Sequence, residues 1–211
     1  VEVVAQRSYL RILDEHHDDL IRQVAGWRRD RDHGSPAAFV PPRPAVTFAD
    51  RAVLHAHSRD LVLMHAPGHA PDQCAVFIPD VGLLWAGDML SDREPPMAMD
   101  SVPRYIRTLR ALQALQVRAL VPGHGTPTCD PQVMHRRFRQ DLRYLESLHR
   151  CVTRQVAQGM SRDETVRACR DVTFVQPDSY PNAHVWNVES AYVALGGMAA
   201  EGLIGWEKDW L

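Results

Sequence analysis

Apolar residues change their period several times along this chain, and each change predicts a new element. Residues 1–5 are rich in β-branched side chains and read as a strand already under way. Leu10, Leu13, Leu20, Ile21 and Val24 then recur at helical spacing across residues 7–26. Residues 28–44 are first charged and then proline-rich, which predicts a loop. Between residues 45 and 88 the pattern breaks into short runs at 46–48, 53–57, 61–64, 74–78 and 83–86, separated by turn residues. Such runs predict a meander of antiparallel strands. Their near-continuous apolar character predicts a sheet covered on both faces. Ser101 is placed to cap a helix in which Val102, Ile106, Leu109 and Leu112 share one side. A further buried strand is expected at 117–121. Beyond Cys129 the pattern is helical, at 132–158, 162–170 and 184–200, with Gly159 and Pro177 as breaks.

Composition bounds the partners. Hydrophobic residues make up 45% of the 211 and charged residues 24%, enough for a real core. With 24 basic against 26 acidic side chains the net charge is −2. The basic residues are dispersed, so neither nucleic acid nor a membrane surface is expected as a partner. Lys208 is the sole lysine, a trace of a GC-rich, bacterial genome. Cys74, Cys129, Cys151 and Cys169 form no C-x-x-C pair and read as isolated reduced thiols of a cytoplasmic chain, with a disulfide left open. No apolar run is long enough to span a bilayer. The chain opens on Val1 in mid-pattern, so a segment upstream would be invisible here.

Three short motifs carry the candidate chemistry, each at the end of a predicted strand. P-G-H-A-P-D over residues 67–72 puts His69 in a turn, A-G-D over 86–88 puts Asp88 just past an apolar run, and P-G-H-G over 122–125 puts His124 between glycines. Imidazole and carboxylate groups on the rim of a rigid sheet are what a zinc or iron site requires. A lone loop histidine is usually solvated and a lone Gly-Asp usually a turn, so the joint pattern carries the weight.

In type, order and context these motifs resemble the later motifs of the metallo-β-lactamase superfamily, over about residues 1–128. The resemblance implies an α+β fold: the C-terminal part of an αββα metallo-β-lactamase sandwich in residues 1–128, lacking its N-terminal part, followed by a helical C-terminal extension in residues 129–211. It implies His69 on one metal, His124 on a second and Asp88 bridging both. Two zinc ions are expected in a complete relative, with iron or manganese as alternatives. The implied chemistry is hydrolysis of a small-molecule ester, lactone or thioester by a metal-bound hydroxide.

The family's H-x-H-x-D-H signature is absent from the 211 residues. The nearest string, at residues 55–60, has the wrong spacing, and His55 and His57 read as alternating onto one face of a strand. The chain therefore reads as a fragment or a degenerate relative, impaired as it stands, with no catalytic residue assigned. A metal-free scaffold and an iron-dependent redox or sulfur relative are the competing readings. His16 and His17 read as a solvated helix face, and His65 as a residue that positions the first turn. Asp92, Arg93 and Glu94 follow A-G-D in a loop at the pocket mouth or in a solvated turn. In the tail, Val185, Val188, Tyr192 and Leu195 form an apolar stripe that packs on the domain or makes a homodimer contact. His184 and Asn187, near the start of that helix, are candidate contacts for a small-molecule substrate.

Overall fold

The computed structural model describes residues 2–30, 39–174 and 182–196. Helices and sheets are mixed, as an α+β chain requires, in two compact units: residues 1–50 and 51–211.

In the first unit, β1 (Val4–Gln6) leads into α1 (Ser8–Asp30), and β2 (Val46–Phe48) pairs parallel with β1. The sequence had placed 46–48 in the antiparallel meander. A three-residue run carries too little pattern to choose its partner, and here the choice is β1. α1 is kinked at His16, which departs from helical dihedrals. His16 is 8% exposed, whereas His17 lies open, so the expected solvated pair is split.

The second unit is built on a five-stranded sheet in the order β3 (Arg51–Ala56), β4 (Arg59–His65), β5 (Cys74–Ile78), β6 (Leu83–Trp85), β7 (Ala119–Val121). The first four strands form the expected antiparallel meander. β7 joins parallel to β6 after the crossover through α2 (Val102–Gln113), which Ser101 caps by accepting from the Arg104 amide. A parallel partner needs such a crossover, and the helix supplies it. The strands are not covered evenly: Val53, Leu54 and Trp85 are exposed large hydrophobics. His57 leaves the strand altogether, in the β3–β4 turn at φ 53°, while His55 faces Asp60 at 2.7 Å on the surface.

α3 (Pro131–Ala157), α4 (Arg162–Cys169) and α5 (Ala183–Ala194) follow. Asp130 caps α3 ahead of Pro131, and α4 opens on a Ser161–Glu164 capping box. Leu145, Leu148, Val152 and Val188 from these helices share one buried cluster with Leu84, Leu109 and Leu120. Burying a side chain of that size contributes about 1.5–3 kcal/mol, so the helices are welded to the sheet by apolar contact. Cys151 and Cys169 are disulfide-bonded, with Cα atoms 5.9 Å apart. That corrects the reading of four isolated thiols. α4 folds back onto α3, an approach that cysteine spacing alone does not reveal. The predicted break at Pro177 and the predicted helix beyond residue 196 lie outside the described residues. No helix among the described residues is long and apolar enough to cross a membrane.

Candidate metal centre

β4, β6 and β7 end on the same rim, and the turn after each delivers one of the three motif residues. β4 ends at His65, and the turn that follows through Pro67 and Gly68 is held from several directions. The Thr108 hydroxyl donates to the Pro67 carbonyl at 2.6 Å, and the Asp100 and Ser101 amides donate to that of Gly68. The Met99 amide donates to the His69 carbonyl at 3.2 Å. At Gly68, φ is +132°, and a Cβ there would stand 2.3 Å from the Tyr105 Cα, so only glycine lets α2 lie against the turn. β6 and β7 are stapled past their ends by Gly123 N–H donating to the Gly87 carbonyl at 2.6 Å. That staple sets the Asp88 and His124 turns side by side.

The three residues meet at the Asp88 carboxylate. His69 Nε2 lies 3.4 Å from Oδ2, and His124 Nε2 lies 3.4 Å from Oδ1. Each oxygen thus faces its own imidazole. The His69 contact, over the opposing cost of burial and with attraction from both rings, holds the Asp88 carboxyl below its usual range. The backbone of Asp88 is tied down too, because the Tyr105 hydroxyl donates to its carbonyl at 3.4 Å.

His69 Nδ1 sits 2.9 Å from the Met97 carbonyl. A carbonyl only accepts, so Nδ1 carries the proton. Nε2 then faces a carboxylate oxygen, and the ring satisfies both neighbours in two ways. It does so as an imidazolium, or as a neutral ring with a cation in place of the second proton. Among the described residues no group of three or more His, Cys, Asp or Glu side chains is placed to hold a metal ion. What the three residues form is one imidazole nitrogen beside each oxygen of a single carboxylate, donor types that zinc and iron accept.

Further carboxylates surround the rim. Burial pushes the Glu94 carboxyl up, and Glu94 lies within electrostatic reach of His124, Asp88 and His69. Burial likewise raises Asp72 in the His69 turn. Asp92 is a brace. Its Oδ1 accepts from the Thr126 amide at 2.9 Å, and its Oδ2 accepts from Arg137 Nη2 at 2.8 Å. Against burial, the largest single influence, these two partners hold Asp92 below the usual carboxylate range. Arg137 also donates to the Leu90 carbonyl at 3.4 Å. Read from sequence as part of a pocket-mouth loop or of a solvated turn, Asp92 links α3 to the His124 turn. His65, expected to position the first turn, has Nε2 2.7 Å from the Pro71 carbonyl.

His184 and Asn187 stand apart from the three motif residues, with their polar atoms engaged inside the protein. Asn187 is 1% exposed. Its Oδ1 accepts from the Ala98 amide at 2.7 Å, and its Nδ2 donates to the Pro96 carbonyl and the Tyr144 hydroxyl. Tyr144 meets His184 Nδ1 at 3.0 Å, and His184 Nε2 meets the Cys169 carbonyl at 3.0 Å. Burial pushes Tyr144 up to about 12 and lowers His184. One set of protons therefore satisfies the row: Nε2–H on a neutral His184, with the tyrosine hydroxyl donating to Nδ1.

Residues 2–124 match the metallo-beta-lactamase superfamily, and the chain belongs to it. A linear primary-alkylsulfatase of Pseudomonas sp. (strain ATCC 19151) is 23% identical over 142 residues, 64% of this chain and 26% of that protein. The chain thus spans about a quarter of that curated relative's length. Among solved structures, a metallo-beta-lactamase family protein of Thermus thermophilus is 19% identical with a TM-score of 0.60, over 91% of this chain and 65% of its own. The stereoselective inverting sec-alkylsulfatase Pisa1 of Pseudomonas sp. is 14% identical with a TM-score of 0.62, over 78% and 28%. At these identities the structural likeness speaks for the fold alone.

Proposed function

We propose that His69, Asp88 and His124 are half of a two-cation site, zinc first among the candidates, serving hydrolysis of a small-molecule ester. The observation that carries this reading is the pair of imidazoles on opposite oxygens of one carboxylate. Asp88 would hold both cations, His69 one and His124 the other. When bound, the cations would make a water acidic enough to attack at neutral pH and would polarise the ester oxygen. Met97, through its carbonyl, would keep the His69 proton on Nδ1 and so leave Nε2 open to the cation. Zinc sites usually take three or four protein ligands, so these residues alone would bind weakly. The remaining donors would have to be supplied from elsewhere than the three motifs.

Alkyl sulfates head the substrate panel, because the alkylsulfatase match covers 64% of this chain. Carboxylic esters, lactones and thioesters follow. The test begins with zinc added to the 211-residue chain while the imidazole resonances are followed by NMR. His69 and His124 should both shift, and Asp88→Ala should weaken the response of each by more than about 100-fold, beyond what losing an outer partner costs. Silence from both rings would sink the reading. Zinc uptake without turnover of any panel member would favour a binding module that kept the half-site.

A further inference from the structure

We propose that Asn187 and Ser190 of α5 are positioning residues for His69, acting through the backbone of residues 96–98; this rests on the half-site reading above. The 96–98 stretch is neither helix nor strand. The Pro96 carbonyl accepts from Asn187 Nδ2 at 2.8 Å, and the Ala98 carbonyl accepts from the Ser190 hydroxyl at 3.0 Å. The carbonyl between them, that of Met97, meets His69 Nδ1 at 2.9 Å. The Ala98 amide, donating to Asn187 Oδ1 at 2.7 Å, makes a third tie to α5.

The orientation of the Asn187 amide is forced, since the Ala98 N–H only donates and the Pro96 carbonyl only accepts. Asn187 is 1% exposed and so cannot exchange these partners for bulk water. With peptide groups on both sides of Met97 fixed, its carbonyl has one direction left. That direction puts the His69 proton on Nδ1 and presents Nε2 to Asp88. The helix nominated from sequence as a substrate contact thus reaches the centre by a different route. It sets the tautomer and the aim of one ligand from behind.

The test compares the full chain with Asn187→Ala, Ser190→Ala and Ser190→Thr, using the ¹⁵N and proton resonances of the imidazoles with and without zinc. In the unaltered chain His69 should show a slowly exchanging Nδ1 proton. Asn187→Ala should turn it into a mixture of tautomers and weaken the zinc response of His69 by about 10- to 100-fold, the usual cost of losing an outer partner. Ser190→Ala removes one hydrogen bond and keeps the inference testable if Asn187→Ala does not fold. It should move the same signals less, and Ser190→Thr, which keeps the hydroxyl, should restore them. Val152→Ala on α3 serves as a control that loosens the core without touching 96–98, and it should leave the His69 tautomer as it was. An unchanged His69 tautomer in folded Asn187→Ala and Ser190→Ala overturns the inference, as does a changed tautomer with undiminished zinc response. If zinc moves no ring in the unaltered chain while the tautomer still depends on Asn187, the cation reading fails and the positioning role stands.

Discussion

His69 and His124 face the same carboxylate at the same 3.4 Å, yet the protein holds them differently. The His69 side chain is 18% exposed, and its far nitrogen is fixed on the Met97 carbonyl, itself set by the ties to α5. The His124 side chain is 50% exposed, and among the described residues no hydrogen bond fixes its far nitrogen. What is braced there is the turn: α3 holds Asp92 through Arg137, and Asp92 holds the Thr126 amide. One ring is therefore preorganised down to its tautomer, while the other rides on a positioned backbone and meets Asp88 alone among the described residues. Ordering a side chain on binding costs about 0.5–1.5 kcal/mol, so the His69 side should fill first as zinc is added.

Gly68 breaks this contrast most sharply. Gly68→Ala would drive a methyl into the Tyr105 backbone at 2.3 Å and impose a side chain at φ +132°. A helix backbone cannot step aside cheaply. Overpacking and strain, each of about 2 kcal/mol, together predict a loss of about 4 kcal/mol in urea unfolding.

Arg137→Met tests the other arm. Arg137 is 5% exposed and bonds both Asp92 and the Leu90 carbonyl. Truncating one partner of a buried pair costs about 3–5 kcal/mol. With the Asp92 side chain 27% exposed, water recovers part of that, and about 3 kcal/mol is expected. The His124 resonances should move, and those of His69 should not. Equal movement of both would mean that the two arms are one network.

Much of this centre was legible because the motifs are local. Proline or glycine follows each strand, and the motif residue comes three or four positions past the strand's end, so P-G-H, A-G-D and P-G-H-G announce both the turn and the candidate side chain. The antiparallel meander and the Ser101 cap were legible for the same reason. What escaped depends on contacts far apart in sequence. Asn187 meets the Ala98 amide across 89 residues, and Arg137 meets Asp92 across 45. No periodicity in either helix announces such a partner, and a buried asparagine near a helix start reads like a solvent-facing one. The Cys151–Cys169 bond and the parallel pairing of β2 with β1 were hidden likewise, being decided by how elements pack.

Gly125→Ala sharpens the comparison with Gly68. Its Cβ would meet first a side-chain atom, Asp92 Oδ1 at 2.1 Å, with the Asp92 backbone nitrogen farther off at 3.1 Å, at φ +106°. Asp92 can turn away, so backbone strain is the main cost, about 2 kcal/mol. Displacing Asp92 should also free the Thr126 amide. Amide exchange at Thr126 should therefore quicken in Gly125→Ala, while the His69 Nδ1 proton keeps its protection.

At Asp141 the expected effect has the opposite sign. This carboxyl is 2% exposed on α3, and burial raises it well above its ordinary 3.8, over the lowering influence of the Leu90 amide and Arg137. The folded protein therefore keeps a proton that the unfolded chain gives up above about pH 3.8. Its contribution is fully present below that pH and is lost as pH rises toward the folded value, by at most about 1.4 kcal/mol per pH unit. Asp141→Asn removes the ionisable group while its carbonyl can still accept from Leu90. The variant should be the more stable protein at about pH 7, with the gap closing as pH falls to about 4, in urea midpoints measured across that range. Leu90 lies two residues past Asp88, and α3 holds its amide through Asp141 and its carbonyl through Arg137. A gap that stayed constant with pH would mean that Asp141 is already ionised and paired with Arg137, making the α3 arm a charged clamp rather than a neutral one.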